Sequence, residues 1–497
     1  MATISRSASR RRRRSRYNVF PRWVTRKRVI LSVTLVFSLV LASAVVYGVR
    51  LSFALAKTFH TSPISAALNA LGGGGGSAID RERRSLQRVN IVLYGYGGAQ
   101  HAGGDLTDSI MVVSIQPIAN HPPQVAEISI PRDWYVRIPL KNGQATDQRI
   151  NFAYAAGMLG EGPVPASSVN AGAAVADPLI EHLLGVGINY FVGVNFDAFK
   201  QAVNAVGGIN IDVPTGFTDN QYPAGECSEG NCRYETVRFK AGEQHMNGAT
   251  ALIYARSRHG NNGQGSDFAR SRRQQQLIVA LRTQLESIGG IGQLPDVINA
   301  LGDNVLTNLT ISDAESLYGL VQGVNPATIE HISIDDTNFL YDCSYPSKCG
   351  GYYLYAHDSS FKTLSHYVQD IFPSEAALAD SAHVRFVDAS GGGNNASGRW
   401  AGIMSMVGFD TVNGGNGTKQ AVTQVIDQSG GADTAAAAWL AAYFGVSVIT
   451  QAPPTPVPTA TGTGVPSATP VPTVGNVIVV LGGNEEQAFL GDPGFGN

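Results

Sequence analysis

Five arginines, no lysine and one acid occupy residues 254–277, YARSRHGNNGQGSDFARSRRQQQL, in a chain where only 15% of residues are charged. Arginine presents a planar fork of donors that grips phosphate or carboxylate oxygens bidentately, and it stays charged when partly buried. Arg256 and Arg258 alternate, which places both on one side of an extended segment. Arg270 and Gln274, four apart, share a face of the helix expected over 268–285, with Asp267 near its start. The bland reading of such a run is a solvated helix face with weak surface pairs. Two features favour anion binding instead: every cation is Arg, and the loop between Arg258 and Asp267 is polar and rich in Gly and Asn.

Two upstream segments add partners. In ISIPRDWYVRIP (128–139) a strand runs into Pro131, so Arg132 and Asp133 emerge at a strand end, where α/β sheets collect ligands. In GGAQHAGGDLTDSIMVVS (97–114) a glycine-rich loop leads into a strand and offers His101, Asp105 and Asp108. Acids beside arginines, without a His/Cys cluster, suit a hard cation such as Mg²⁺ (or Mn²⁺) held through carboxylate and phosphate oxygens.

Taken in order, VNIVLYGYGG…LTDSIMVVSIQP, ISIPRDWYVRIP, RINFAYAAG, INYFVGVNFDAFKQAVNAVGGINIDVP and HMNGATALIYARSRH…SDFARSRRQQQLI resemble the LytR–CpsA–Psr family of cell-wall transferases. The match runs from about 88 to 285. More loosely, the stretches VRFVDAS, GFDTV and NVIVVLGG resemble the C-terminal domain that often accompanies it. The resemblance implies an α/β fold with a mixed central sheet flanked by helices, one transmembrane helix before it and a small α/β domain after it. It implies an enzyme that moves a phospho-glycopolymer from undecaprenyl pyrophosphate to peptidoglycan. It assigns catalysis to Asp108, Arg132 and Asp267, and pyrophosphate binding to Arg132, Arg256, Arg258, Arg270 and Gln274. The divalent metal falls to Asp108 and Asp267, with Asp105 and His101 as further candidates. One departure stands out: where many members carry an Asp in a G-S-D-type turn, this chain has Gly95-Tyr96-Gly97-Gly98. Two other function classes compete, a polyprenyl-pyrophosphate phosphatase or non-catalytic wall-binding protein, and a transcriptional regulator.

The rest of the chain must place this site. Eleven Arg and Lys residues, Arg6 to Arg28, precede VILSVTLVFSLVLASAVVYGV (29–49), an uncharged run long enough to cross a bilayer. The positive-inside bias puts the N-terminus in the cytoplasm and the main domains outside, which disfavours nucleic acid as a partner. A cleaved signal peptide ending near Ala42-Ser43-Ala44 is the alternative, with a longer apolar run than such peptides use. The four cysteines fall in two close pairs, Cys227/Cys232 and Cys343/Cys349, expected as local disulfides in an oxidising compartment, with zinc as the alternative.

Short runs at 89–94, 109–115 and 125–130 are apolar at consecutive positions, which predicts strands buried on both faces. Helices and strands then alternate. The expected order is a basic tail (1–28), transmembrane helix (29–50), Gly-containing connector (51–87), catalytic domain (88–340), connector (341–380), C-terminal domain (381–484) with a Pro/Thr-rich loop (452–474), and tail (485–497). Leu179, Ile180, Leu183, Leu184, Tyr190, Phe191, Phe196 and Phe199 offer apolar surface for a polyprenyl chain, or simply core.

Overall fold

The computed structural model describes residues 78–98, 101, 103–224, 233–288, 304–343, 352–392, 395–453 and 476–483. The run 29–49, the Pro/Thr-rich tract and Cys227, Cys232 and Cys349 lie outside them. No helix among the described residues is long and apolar enough to cross a membrane.

In chain order, α1 (Ala78–Arg84) precedes β1 (Val89–Tyr96), β2 (Thr107–Ile118) and β3 (His121–Ile130). The hairpin β4 (Tyr135–Pro139) and β5 (Ala145–Arg149) leads to α2 (Phe152–Met158) and α3 (Ala173–Leu184). Next come β6 (Tyr190–Asn195), α4 (Phe196–Ala205), β7 (Ile209–Val213), β8 (Phe217–Pro223), β9 (Tyr234–Phe239) and β10 (Gly242–Met246). The arginine region is carried by α5 (Gly248–Arg256) and α6 (Asp267–Ser287), followed by β11 (Val305–Thr307), α7 (Ile311–Val321) and β12 (Glu330–Ser333).

Six strands form the central sheet in the order β11-β6-β1-β2-β3-β12. Its pairing is mixed, antiparallel for β1–β2 and β2–β3 and parallel for β1–β6 and β3–β12. The consecutive apolar residues of β1 divide between two cores. Val92, Tyr94 and Tyr96 pack with α2 and α3, while Val89 and Ile91 pack with Ile79 of α1 and Leu320 of α7. Strand alternation thus buries both faces, as the unbroken hydrophobic runs demand. A satellite core under β7, β8, α5 and the middle of α6 carries the arginine loop.

Helices α4, α5 and α6 each start where an Asn or Ser side chain accepts a hydrogen bond from the first turn, Asn195, Asn247 and Ser266 respectively. The cap at Asn247 lets α5 run on through Arg256. Arg256 therefore closes a helix and is not in an extended segment alternating with Arg258, as its spacing had suggested.

The stretch 341–380, expected as a connector, is folded. It contributes β13 (Leu340–Asp342), β14 (Leu354–Ala356), α8 (Lys362–Gln369) and α9 (Glu375–Ala379), with Leu364, Tyr367, Val368 and Ile371 in the main core. Likewise Ile79, within the expected Gly-containing connector, is fully buried.

Beyond lie β15 (His383–Asp388), α10 (Ala396–Ser405), β16 (Asp410–Asn416), β17 (Gln424–Asp427), α11 (Thr434–Tyr443), β18 (Val448–Thr450) and β19 (Val477–Leu481). They form a separate sheet, β16-β15-β19-β17-β18. It is built from two parallel strand–helix–strand units, β15-α10-β16 and β17-α11-β18. Each first strand ends on an aspartate that accepts from the serine two residues on, Asp388 from Ser390 and Asp427 from Ser429.

Leu179, Ile180, Leu183, Leu184, Tyr190 and Phe191 are all buried core, not surface open to a lipid chain. Phe199 packs against the satellite core.

Candidate functional site

At the end of β3, the chain turn at Pro131 delivers Arg132 against Asp108 on β2. Its Nη1 lies 2.5 Å from Asp108 Oδ1, and its Nε lies 3.3 Å from Asp133 Oδ2. Asp133, almost fully buried, also meets Arg149 Nε at 3.0 Å. The next residue along β2, Ser109, donates from Oγ to Gln274 Oε1 on α6 at 2.8 Å. Asp108, Ser109, Pro131, Arg270 and Gln274 line one narrow pocket. Two of the arginines, Arg132 and Arg270, therefore reach the neighbourhood of Asp108 from elements far apart in sequence.

Gln274 also ties this pocket to the other arginines, since its Nε2 lies 3.4 Å from the carbonyl of Ala255, next to Arg256. Arg256 is held differently. Its guanidinium sits 4.3 Å above the Phe196 ring and 5.8 Å from that of Tyr222, and its Nη2 is 3.0 Å from His101 Nε2. Phe196 is thus a platform for an arginine, an arrangement that favours a desolvated cation. Among the described residues no carboxylate pairs with Arg256.

The loop between Arg256 and Arg258 is clamped from two sides at Ser257, by residues that sequence reasoning missed. Asp219 on β8 accepts from Ser257 Oγ at 2.6 Å and from the backbone N–H groups of Arg258 and His259, each at 3.1 Å. Burial pushes its carboxyl up, but these bonds and one from Gln221 outweigh that and bring it below the usual range. Arg273 is 2% exposed and donates to the carbonyls of Tyr254 (2.9 Å), Gln264 (3.1 Å) and Ser257, with its guanidinium over the Phe217 ring. Burial lowers it to about 10. Of the five clustered arginines this one is structural, and only its place in the arginine run hinted at it. Arg272 is exposed.

Asp267 occupies the first position of α6, and its side chain lies outside the described atoms. Asp105 is half-buried, which raises its carboxyl above the usual range. Among the described residues no three His, Cys, Asp or Glu side chains gather as a metal site. Mg²⁺ binds through one or two carboxylates and completes its shell with substrate oxygens and water. Asp108, partly exposed beside the pocket, fits such a role. His101 does not, because its Nε2 faces a guanidinium and its Nδ1 accepts from Gly103 N at 3.1 Å. Cys343 is buried at the end of β13 and disulfide-bonded, with its partner outside the described residues.

The LytR_cpsA_psr family matches residues 69–364, more than half of the chain. The chain belongs to that family. It is 28% identical over 315 residues to the polyisoprenyl-teichoic acid–peptidoglycan teichoic acid transferase TagV of Bacillus subtilis, covering 62% of this chain and 71% of that protein. To the transferase TagU of Bacillus mycoides it is 32% identical over 224 residues, 45% of this chain and 60% of that one. The chain thus spans about 60% of the length of the TagU relatives it matches. The crystal structure of B. subtilis TagV matches 57% of this chain and 97% of its own, at 26% identity and a TM-score of 0.43. The relatives are named as transferases, and this chain is an enzyme of their family.

Proposed function

We propose that this protein transfers a phospho-glycopolymer from an undecaprenyl pyrophosphate carrier to a hydroxyl of peptidoglycan, anchored by residues 29–49 with its folded part outside the cytoplasm. The observation that carries the reading is the meeting of Arg132, Arg270 and Gln274 around Asp108, with Arg256 tied to Gln274 through the Ala255 carbonyl. Family membership and the names of the relatives support it.

Phosphoryl transfer asks a protein for positioning and charge neutralisation more than for a covalent relay. The acceptor hydroxyl oxygen forms a bond to the glycan-side phosphorus while the bond from that phosphorus to the bridging oxygen breaks, and polyprenyl phosphate leaves with the bonding pair. Arg132, Arg256, Arg258 and Arg270 donate to non-bridging and leaving oxygens, and Gln274 orients the group. Of Asp108, on the pocket wall, and Asp267, at the start of α6, one takes the hydroxyl proton and the other would hold the metal. Through that carboxylate the chain would hold a Mg²⁺ ion, which would supply charge neutralisation at the diphosphate. Local pairing of Cys227 with Cys232 and of Cys343 with Cys349 completes the proposal for an oxidising location.

Purified full-length protein, given a polyprenyl-pyrophosphate-linked glycan and peptidoglycan, should attach glycan to the wall polymer and release polyprenyl monophosphate. EDTA should suppress the reaction. Hydrolysis without attachment would favour the phosphatase reading, and binding without turnover the wall-binding one.

A further inference from the structure

His101 holds more donors than a neutral imidazole can satisfy. Its Nδ1 lies 3.1 Å from the backbone N–H of Gly103, and its Nε2 lies 3.0 Å from Arg256 Nη2. Both partners are donors, and a neutral ring has a single lone pair to accept with. The Gly103 N–H is held by a tight loop in which His101 N donates to Gly98 O at 3.0 Å and Gly104 N to His101 O at 2.8 Å. The guanidinium is the partner that can shift. With Nδ1 accepting from Gly103, the hydrogen sits on Nε2 and points at another N–H. Two donors thus converge with no acceptor between them, at a cation that has no carboxylate partner among the described residues.

The loop is shaped for this ring. Gly97 packs against it, and a Cβ there would lie 2.5 Å from His101 Nδ1 and 2.6 Å from Cγ. Any side chain at 97 displaces the ring from Arg256. Phe196 completes the seat, under the guanidinium at 4.3 Å and edge-on to the His101 ring at 5.0 Å.

We propose that His101 Nε2–H and Arg256 Nη2–H form a shared subsite for one anionic phosphoryl oxygen, in which His101 is a neutral hydrogen-bond donor and not a metal ligand. This deepens the transferase reading and rests on it for the identity of the phosphoryl group. An oxygen lying between the two nitrogens satisfies both donors and leaves Nδ1 with Gly103.

The test is isothermal titration of inorganic pyrophosphate into full-length wild type, His101→Ala, His101→Gln and Gly97→Ala, in EDTA and again in Mg²⁺, with transfer measured separately. A hydrogen bond to a charged oxygen is lost in His101→Ala, so binding should weaken about tenfold or more in both conditions. Gln, which carries an amide N–H of similar reach, should recover most of it, and Gly97→Ala should match His101→Ala by pushing the ring aside. Thermal melts separate these effects from misfolding, and Gly97→Ala provides a second perturbation that leaves His101 in the chain. Binding unchanged in His101→Ala overturns the proposal, as does an effect seen only with Mg²⁺, which would make His101 a metal ligand, or failure of wild type to bind pyrophosphate. If wild type binds as described but transfers nothing, the subsite stands and the transferase reading fails.

Discussion

Two arginines in this site are prepared in opposite ways. Arg132 meets carboxylates, Asp108 at 2.5 Å and Asp133 at 3.3 Å, so its charge is compensated before any ligand arrives. Arg256 meets ring faces, a histidine nitrogen and a tyrosine hydroxyl, and no carboxylate among the described residues. The difference teaches that the two corners do separate jobs. On the proposed function Arg256, with no carboxylate beside it among the described residues, draws the anion, because its field is not cancelled there. Arg132 and Asp108 form an ion pair at the pocket wall, which on the proposed function exchanges partners when a phosphoryl group enters.

The sharpest break of this contrast is Arg132→Ala. Transfer should fall by about 10²–10³-fold, the size expected for removing one donor to a developing oxyanion. The melting temperature should fall too, because Asp133 loses one of its two cations in a buried setting. Arg256→Ala should cost a similar factor in a transfer assay but leave the melting temperature within error, since no buried carboxylate is stranded. Arg256→Lys keeps the charge and loses the fork, and should retain binding of pyrophosphate while losing about tenfold in transfer. Arg273→Met probes the scaffold common to both corners. Stripping the carbonyls of Tyr254, Ser257 and Gln264 of their donor should destabilise the protein by about 3 kcal/mol in urea titration.

The smallest expected effect concerns pH. Burial, with the charge of Glu181 adding and the Tyr94 hydrogen bond (2.6 Å) opposing, raises the Asp177 carboxyl to about 7. A raised acid favours the folded state most when protonated. Its contribution is therefore full below about pH 4 and lost as pH rises toward 7. Asp177→Asn should flatten the decline of stability over that window. Some decline should persist, because burial raises Glu330 to about 7 as well.

Much of the scaffold was legible because its signals are local. The unbroken apolar run at 89–94 reads as a doubly covered strand, and Pro131 after ISI reads as a strand end that exposes Arg132. Phe196 to Val206 reads as a helix ended by Gly207-Gly208, and the helix runs over Phe196–Ala205. What escaped depends on contacts far apart in the chain. Arg273 looks like its neighbour Arg272, yet one is buried among carbonyls and the other is exposed, a distinction set by tertiary packing. Asp219 carries no motif, and its role exists only where β8 passes the Ser257 turn. His101 lies 155 positions from Arg256, so its reach was invisible, and its chemistry alone suggested a metal. The apolar face of α3 reads as lipid surface or, more safely for any one residue, as core, and burial makes it core.

The central claim is that the compensated and uncompensated corners grip one diphosphate. A crystal structure with a non-hydrolysable polyprenyl pyrophosphate analogue tests it most directly. The account predicts guanidinium nitrogens of both Arg132 and Arg256 within about 3 Å of oxygens of the same diphosphate. A diphosphate bound at one corner with the other arginine still on its present partners would contradict it.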